Sequence, residues 1–188
     1  MIMKSSPDIA VLLERLARVI QNETHAHGLK PTQWEALRYL ARANRLSRTP
    51  SGLTAYLGMT KGTVSQTLNA LERKGLVAKH VDPADRRQVR IDLTAAGVRV
   101  LKQDPIDALA RAASDLSDRD RRGLGRALEA LLTGALRRRG GRPFGLCRSC
   151  RHFRADDPAG APHRCGLLDV VLSADDGGRI CVEQEAGG

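Results

Sequence analysis

Apolar residues recur at helical spacing near both ends of the first 140 residues. One stretch begins at Ile9 and predicts an amphipathic helix of about five turns that ends near residues 27–28. The other begins at Ser117, and its leucines would form one face: Leu124, Leu128, Leu131, Leu132 and Leu136. A single compact domain cannot wholly bury both apolar faces, so the pattern indicates that they meet a partner.

Three shorter helices are predicted between the two stretches. The first is opened by a capping box at Thr32 and Glu35. Its apolar face consists of Trp34, Leu37, Tyr39 and Leu40. The second helix covers residues 50–58 and the third covers residues 61–74. The third stops at Gly75, because glycine tolerates the left-handed conformation that ends many helices.

The periodicity then changes from helical to alternating. Residues 76–81 and 88–93 alternate between apolar and polar side chains, which is typical of half-buried strands. Since a charged, turn-rich segment separates them, the two strands predict a β-hairpin. Thr94 would cap the next helix, which is expected over residues 95–113 with a bend at Pro105.

A short helix, a tight turn, a longer helix and a β-hairpin make a winged helix-turn-helix, so the predicted fold is mainly α with a small β-hairpin. The longer helix would enter the major groove of DNA, with Val64, Leu68 and Leu71 on its inner face. The candidate DNA-contacting residues on and beside this helix are Thr60, Lys61, Thr63, Ser65, Gln66, Asn69 and Arg73. Gln and Asn bind adenine bidentately, and Arg binds guanine or phosphate. A solvated polar face is the alternative, and the hairpin that follows favours DNA.

The predicted hairpin tip adds two candidate contacts, Arg86 and Arg87, beside Asp85. Protruding arginines reach minor grooves and phosphates. A carboxylate can orient a neighbouring arginine through a bidentate pair. The tip is therefore predicted to contact DNA next to the groove that the helix occupies.

The charge of the chain favours a polyanionic partner. It has 31 Lys and Arg against 21 Asp and Glu, and residues 1–142 carry +12 while residues 143–188 carry −2. Aromatic residues are only 3%, which argues against stacking platforms for single-stranded nucleic acid. No apolar run approaches the roughly 20 residues of a membrane span, and the N-terminus lacks a secretion signal. We therefore expect a cytoplasmic protein with no membrane partner.

Four segments resemble the MarR family of bacterial winged-helix regulators. They are LKPTQWEAL at 29–37, MTKGTVS at 59–65, LERKGLV at 71–77 and DPADRRQVRIDLTAAG at 82–97, and the last is the most specific. The resemblance covers roughly residues 8–138. It implies a homodimer with intertwined N- and C-terminal helices that binds palindromic operators, with a ligand or an oxidant modulating repression. It also implies base and phosphate contacts from Lys61 to Arg73 and a wing contact from Arg86 and Arg87.

All four cysteines lie in the last 46 residues. Cys147 and Cys150 form a Cys-x2-Cys pair, followed by 14 residues to Cys165 and 15 more to Cys181. So short a segment with few large apolar residues needs a staple, and four thiolates suit a metal in a reducing compartment. Zinc is the first candidate. A single Cys-x2-Cys with two scattered cysteines also suits an iron–sulfur cluster.

The expected organisation is therefore a winged-helix DNA-binding and dimerisation domain over residues 1–140 and a metal-stapled module over residues 141–188. Packing of the module against the dimerisation helices would give it leverage on the two recognition helices. His163 could replace or supplement a cysteine ligand. A thiol or metal enzyme and a partner-docking protein are the alternative functions of this module. Four cysteines suggest a closed site, and no nucleophile–base pair is visible elsewhere, so we expect no enzyme.

Overall fold

The computed structural model describes residues 8–23, 26–81, 89–141, 143–156 and 160–186. The helices of this part are α1 (Ile9–Glu23), α2 (Pro31–Arg42), α3 (Pro50–Leu57), α4 (Lys61–Arg73), α5 (Ala95–Leu101), α6 (Asp107–Ser114) and α7 (Asp118–Arg138). The strands are β1 (Val77–Val81), β2 (Val89–Leu93), β3 (Gly145–Leu146), β4 (Phe153–Ala155), β5 (His163–Cys165), β6 (Val170–Leu172) and β7 (Ile180–Cys181). Short 3-10 turns lie at Ala26–Gly28, Cys147–Ser149 and Asp176–Gly178.

The predicted winged helix-turn-helix is confirmed, and its core lies where α2, α3, α4 and the β1–β2 hairpin meet. The four predicted apolar residues of α2 are all buried, and they pack with residues from each of the other elements. Fully buried members of this core include Trp34, Tyr39, Leu53, Leu68 and Ile91. Burial of these large side chains is the main stabilising contribution to this part of the chain.

Side-chain caps fix the ends of the helix-turn-helix. The Thr49 hydroxyl accepts a hydrogen bond from the Gly52 amide at 3.0 Å and opens α3. Gly58 closes α3 in the left-handed conformation, as predicted. The Thr60 hydroxyl accepts from the Thr63 amide at 3.2 Å and opens α4. Two short polar side chains therefore determine where both helices begin.

The predicted capping box of α2 is wrong by two residues. The helix starts at Pro31, and the Gln33 side chain accepts a hydrogen bond from the Lys30 amide at 3.0 Å. Pro31 lacks an N–H and has a fixed φ, so it suits the first helical position. Thr32 consequently lies inside the helix, where its hydroxyl cannot cap it.

The hairpin pairs β1 with β2 in antiparallel register from Val77 opposite Leu93 to Val81 opposite Val89. Residues 82–88, with the predicted tip contacts Arg86 and Arg87, lie outside the described residues. The Thr94 hydroxyl accepts from the Gly97 amide at 3.1 Å and caps α5, as predicted.

The helix expected over residues 95–113 is divided into α5 and α6. Pro105 lies between them and disfavours helical conformation at the residue before it. That residue, Asp104, is buried and accepts two hydrogen bonds from Arg38 of α2, at 2.7 and 2.6 Å. The break thus places a carboxylate against the winged helix, where a bidentate pair fixes α5 to α2.

The outer helices α1 and α7 carry large apolar side chains that are exposed. On α1 these are Ile9, Val11, Leu12, Leu16 and Val19, and on α7 they are Leu124, Leu128, Leu131 and Leu132. Ser117 caps α7 through the Asp120 amide at 3.2 Å, as predicted. Among the described residues, no helix is long and apolar enough to cross a bilayer.

The cysteine-bearing segment, residues 143–186, forms two small sheets. Strand β3 pairs with β7, and β4, β5 and β6 form a three-stranded antiparallel sheet in that order. The segment packs on the loop between α2 and α3, residues 43–49, which we call the α2–α3 turn. Its described hydrogen bonds to the winged helix meet this turn and the end of α2, not the dimerisation helices that we expected.

Two apolar residues anchor the segment in the winged-helix core. Ile180 of β7 is 6% exposed and packs within the same cluster as α2 and α4. The Phe144 ring lies edge-on to Tyr56 of α3, with centroids 5.2 Å apart. The winged helix therefore depends on residues far along the chain for part of its core.

Truncating Ile180 should destabilise the winged helix itself. We expect Ile180→Ala to lower the free energy of unfolding by about 2–4 kcal/mol, because it leaves a cavity in the shared core. Urea unfolding followed by the fluorescence of Trp34, the only tryptophan and fully buried in α2, measures this directly. Val171→Ala, at an exposed position of β6, is the control and should change little. An unchanged Trp34 transition in Ile180→Ala would contradict the shared core.

Candidate nucleic-acid interface and thiol cluster

Helix α4 presents one buried and one exposed face. Val64, Leu68 and Leu71 are buried against α2 and α3, as predicted, together with Thr67. All seven residues predicted to contact DNA here are exposed: Thr60, Lys61, Thr63, Ser65, Gln66, Asn69 and Arg73. The fold thus leaves the polar face of this helix open to a ligand as large as a duplex.

Some of these exposed side chains are already held by neighbours. The Thr60 and Thr63 hydroxyls lie 2.9 Å apart within the cap of α4. The Lys79 ammonium of β1 donates to the Asn69 amide oxygen at 2.5 Å and pairs with Glu72 at 2.8 Å. Asn69 is therefore oriented by the hairpin, so that Lys79 and Asn69 would approach a ligand together.

A groove of about 1040 Å³ lies between the start of α3, the start of α4 and the hairpin. Its described lining contains no acidic residue, and its basic residues are Arg45, Lys61, Lys79, His80 and Arg90. Such a concave surface of one charge sign concentrates positive potential and attracts phosphate. Only Lys61 among these was predicted from sequence.

The basic residues of the hairpin could have been found from its register. His80 lies opposite Arg90 across the two strands, so both stand on one face of the hairpin. The Asp92 carboxylate lies 3.3 Å from a guanidinium nitrogen of Arg48, 3.1 Å from one of Arg90 and 3.6 Å from Nε2 of His80. One carboxylate thereby holds three basic side chains near the groove. Arg45 gave no sequence signal, because its place depends on the cysteine-bearing segment.

The four cysteines are free thiols, brought together by short strands and turns. Cys181 lies in β7, and Cys147 directly follows β3, the strand that pairs with β7. Both are buried, with exposures of 6% for Cys181 and 4% for Cys147. Cys150 follows one 3-10 turn later, and its amide donates to the Cys147 carbonyl at 3.0 Å. Cys165 lies in β5 and packs against the buried pair. We call these residues the thiol cluster.

The electrostatics of the thiol cluster centre on Cys147 and Cys181. A hydrogen bond from Cys147 lowers the pKa of Cys181 to about 6, although burial opposes this shift. The same bond raises the pKa of Cys147, and burial and the nearby sulfurs of Cys181, Cys165 and Cys150 raise it further. The thiols of Cys181, Cys165 and Cys150 thus all act on Cys147. Within the described residues, however, no three His, Cys, Asp or Glu side chains are already arranged as a metal-ligand set.

His163 stands beside the thiol cluster. Its ring lies against Phe153, with centroids 4.7 Å apart, and its buried Nδ1 has no hydrogen-bond partner among the described residues. Packing against the tilted ring of Phe153 holds the imidazole in place without a metal. The role of His163 as a ligand therefore stays a prediction.

The thiol cluster lies directly against the α2–α3 turn. The backbone amide of Asn44 donates to the Ile180 carbonyl at 2.8 Å, and the backbone amide of Val182 donates to the Ser47 hydroxyl at 2.9 Å. The side chains of Asn44 and Ser47 also interact with the Cys181 sulfur and lower its pKa. Both residues are fully buried. Sequence reasoning missed them, because polar residues in a turn ordinarily face water.

Asp176 completes the junction from the side of the cysteine-bearing segment. It is buried and accepts hydrogen bonds from the Ser173 amide and hydroxyl at 2.9 and 2.8 Å. Burial opposes ionisation, but these bonds and Arg45 of the α2–α3 turn outweigh it and hold the pKa of Asp176 below its usual value. A charged Asp176 therefore links the segment to Arg45, which also lines the groove.

The winged-helix part of the chain is similar to known transcriptional regulators. The model of the MarR family matches residues 27–88. A putative transcriptional regulatory protein for the hcr operon of Thauera aromatica is 30% identical over 115 residues, which are 61% of this chain and 65% of that relative. The family and this relative are transcriptional regulators rather than enzymes.

Two solved structures share the fold. A MarR transcriptional regulator from Methanosarcina mazei is 26% identical and has a TM-score of 0.55, covering 69% of this chain and 94% of its own. The MepR–DNA complex of S. aureus has a TM-score of 0.58 at 23% identity, covering 69% of this chain and 99% of its own. About a third of this chain lies outside each of these two matches.

Proposed function

We propose that the protein is a MarR-family, sequence-specific DNA-binding transcriptional regulator that represses as a homodimer on palindromic operators. The match of residues 27–88 to the model of the MarR family supports this proposal. The observation that carries the proposal is the exposed polar face of α4 beside a groove lined by basic residues. A helix of this kind reads base edges in the major groove, and a basic groove beside it holds the phosphate backbone.

The chemistry of the interface divides into specificity and affinity. Gln66 stands at the middle of the exposed face of α4 and can bind adenine bidentately. Lys61 lines the groove and suits a phosphate, as do Arg45 and Arg90. The predicted wing contacts, Arg86 and Arg87, remain part of the proposal.

The proposed dimer rests on the apolar faces of α1 and α7. The exposed apolar side chains of these two faces are between about two-fifths and two-thirds exposed in one chain, from Leu131 at 41% to Ile9 at 67%. So much apolar surface marks an interface, and a two-fold axis would bury it against the same faces of a second chain. The two α4 helices would then lie about 34–36 Å apart, matching half-sites one helical turn apart.

We propose that Cys147, Cys150, Cys165 and Cys181 bind a metal: zinc, or an iron–sulfur cluster as the alternative. The support is the spacing of the four cysteines and the packing of Cys147, Cys165 and Cys181 in one small apolar core, in which Leu172 is the one fully buried large side chain among the described residues. Two small sheets of two- and three-residue strands need a further constraint to be stable. We also propose, from the family resemblance, that a small molecule or an oxidant modulates DNA binding.

Specific recognition predicts different results for two substitutions on α4. Gln66→Ala should cost about 1–3 kcal/mol on a duplex that the wild type selects from a random library, and little on random DNA. Lys61→Ala should weaken binding to both duplexes equally and reduce the salt dependence by about one phosphate contact. Fluorescence anisotropy at several salt concentrations measures both. Equal losses of affinity for both duplexes in Gln66→Ala would show that Gln66 contacts phosphate. If the wild type selects no sequence from the library, the proposal of a sequence-specific regulator is refuted.

The dimer predicts that a charge on α7 separates the chains. Leu128→Asp should convert a dimer into a monomer and weaken binding to the selected duplex more than tenfold, because a buried carboxylate has no partner there. Light scattering after size exclusion gives the mass. Leu167→Asp, at a similarly exposed leucine of the cysteine-bearing segment, should remain dimeric. A monomeric wild type would refute the interface.

The metal site predicts the composition of protein purified without oxygen. Elemental analysis and the ultraviolet–visible spectrum should show one zinc per chain, or iron with sulfide and a brown colour for the alternative. Cys165→Ser should lose most of the metal, while His163→Gln should keep it if the four cysteines are the ligands. Wild-type protein with neither metal would contradict the site.

A further inference from the structure

One turn contacts both proposed sites. The α2–α3 turn contacts Cys181 on one side, and on the other it leads into α3 and contributes Arg45 to the basic groove. We infer that metal bound by the thiol cluster and DNA bound by α4 are energetically coupled through this turn, metal strengthening DNA binding. This inference rests on the proposed function and adds to it the route by which one site acts on the other.

The first step is the contact between Cys181 and two buried side chains. Asn44 is fully buried, and its side-chain nitrogen Nδ2 has no hydrogen-bond partner among the described residues. The Cys181 sulfur interacts with this side chain and with Ser47. A buried donor without a partner is costly, and a metal-bound thiolate is a charged acceptor that satisfies it. Asn44 and Ser47 are thus placed to orient a metal ligand.

The second step is the attachment of the turn to the segment that carries Cys181. The backbone amide of Asn44 donates to the carbonyl of Ile180 at 2.8 Å, and Ile180 directly precedes Cys181. The Arg179 guanidinium donates to the Ala41 carbonyl at the end of α2, at 2.8 Å. Arg45 pairs with Asp176. Any force that fixes residues 176–182 therefore fixes the turn as well.

The third step leads from the turn to the DNA-binding helices. The Ser47 carbonyl accepts hydrogen bonds from the Tyr39 hydroxyl at 2.6 Å and from the Thr49 amide at 2.8 Å. Thr49 caps α3, and a Cβ on Gly52 would lie 2.4 Å from the Ser47 carbonyl oxygen. The first turn of α3 is therefore closely packed on Ser47. Since α3 packs against α4, a shift at Ser47 would also move α4, the helix proposed to enter the major groove.

The direction of the coupling follows from these contacts. A metal ties Cys181 to three sulfurs elsewhere in the cysteine-bearing segment, which fixes β7 and with it the α2–α3 turn. A fixed turn pre-organises α3 and α4 for DNA and removes part of the ordering cost of binding. Couplings of this kind are typically 5- to 150-fold. We expect zinc to tighten binding to the selected duplex about tenfold, and DNA must then tighten zinc binding by the same factor.

The experiment measures both sides of this linkage on the full chain in a reducing buffer. Anisotropy gives the Kd for the selected duplex with zinc-loaded and with chelator-stripped protein. Competition with a chromophoric chelator gives the zinc Kd with and without duplex. Equal factors of about ten support the coupling. Zinc binding and DNA binding that differ by less than twofold between the states overturn it, while the regulator and the metal site both stand.

Two arginine variants test the route without removing the metal. With zinc bound, Arg179→Ala should weaken binding to the selected duplex at least threefold, because it removes the bond to the Ala41 carbonyl. Arg154→Ala is the matched control, since its described hydrogen bonds go to carbonyls within the cysteine-bearing segment, and it should leave binding unchanged. This comparison decides the route even if the stripped protein loses its helices. Equal behaviour of the two variants overturns the route, and absence of metal or DNA binding by the wild type overturns the inference together with its premise.

Discussion

The burial of a polar turn is the constraint on which the rest of this structure depends. Asn44 and Ser47 lie at the bottom of the α2–α3 turn with no exposure to water, so their polar atoms must find partners within the protein. Some partners are local, such as the Tyr39 hydroxyl, and others come from more than 130 residues away, at Ile180, Cys181 and Val182. The winged helix thereby depends on the cysteine-bearing segment for part of its hydrogen bonding.

That dependence changes what the cysteines can do. A thiol cluster at the end of a loose tail would stabilise only itself. Here the sulfur of Cys181 touches the turn that opens the helix-turn-helix, and Ile180 beside it belongs to the winged-helix core. A metal bound at the cluster, as proposed, would therefore act on residues that hold α3 and α4. The physical basis is packing, because a close-packed junction passes a displacement on instead of absorbing it.

The charged side chains around the basic groove are arranged in pairs. The basic groove takes residues from the α2–α3 turn, from α4 and from the hairpin, and the nearby carboxylates Asp92, Glu72 and Asp176 are each paired with a basic side chain at its edge. These pairs orient the basic side chains while leaving the groove itself positive. The apolar faces of α1 and α7 stand apart from this surface, so association of two chains and recognition of DNA use different parts of the molecule.

The sequence by itself determined the winged helix, the spans of α3 and α4, the caps Thr94 and Ser117, and the exposed face of α4. These features follow from local rules of periodicity and capping. The cap of α2 was predicted two residues too late, because Pro31 takes the first position of the helix and Thr32 lies inside it. The helices α5 and α6 were predicted as one helix across Pro105.

Only the tertiary structure decided where the cysteine-bearing segment lies and which residues it joins to the winged helix. Arg45, Asn44 and Ser47 look like ordinary turn residues along the chain. Their burial depends on contacts with residues 176–182, and no local pattern records a contact of such separation. Spacing could indicate that four cysteines meet, but only packing could place them against the turn that begins the DNA-binding helices.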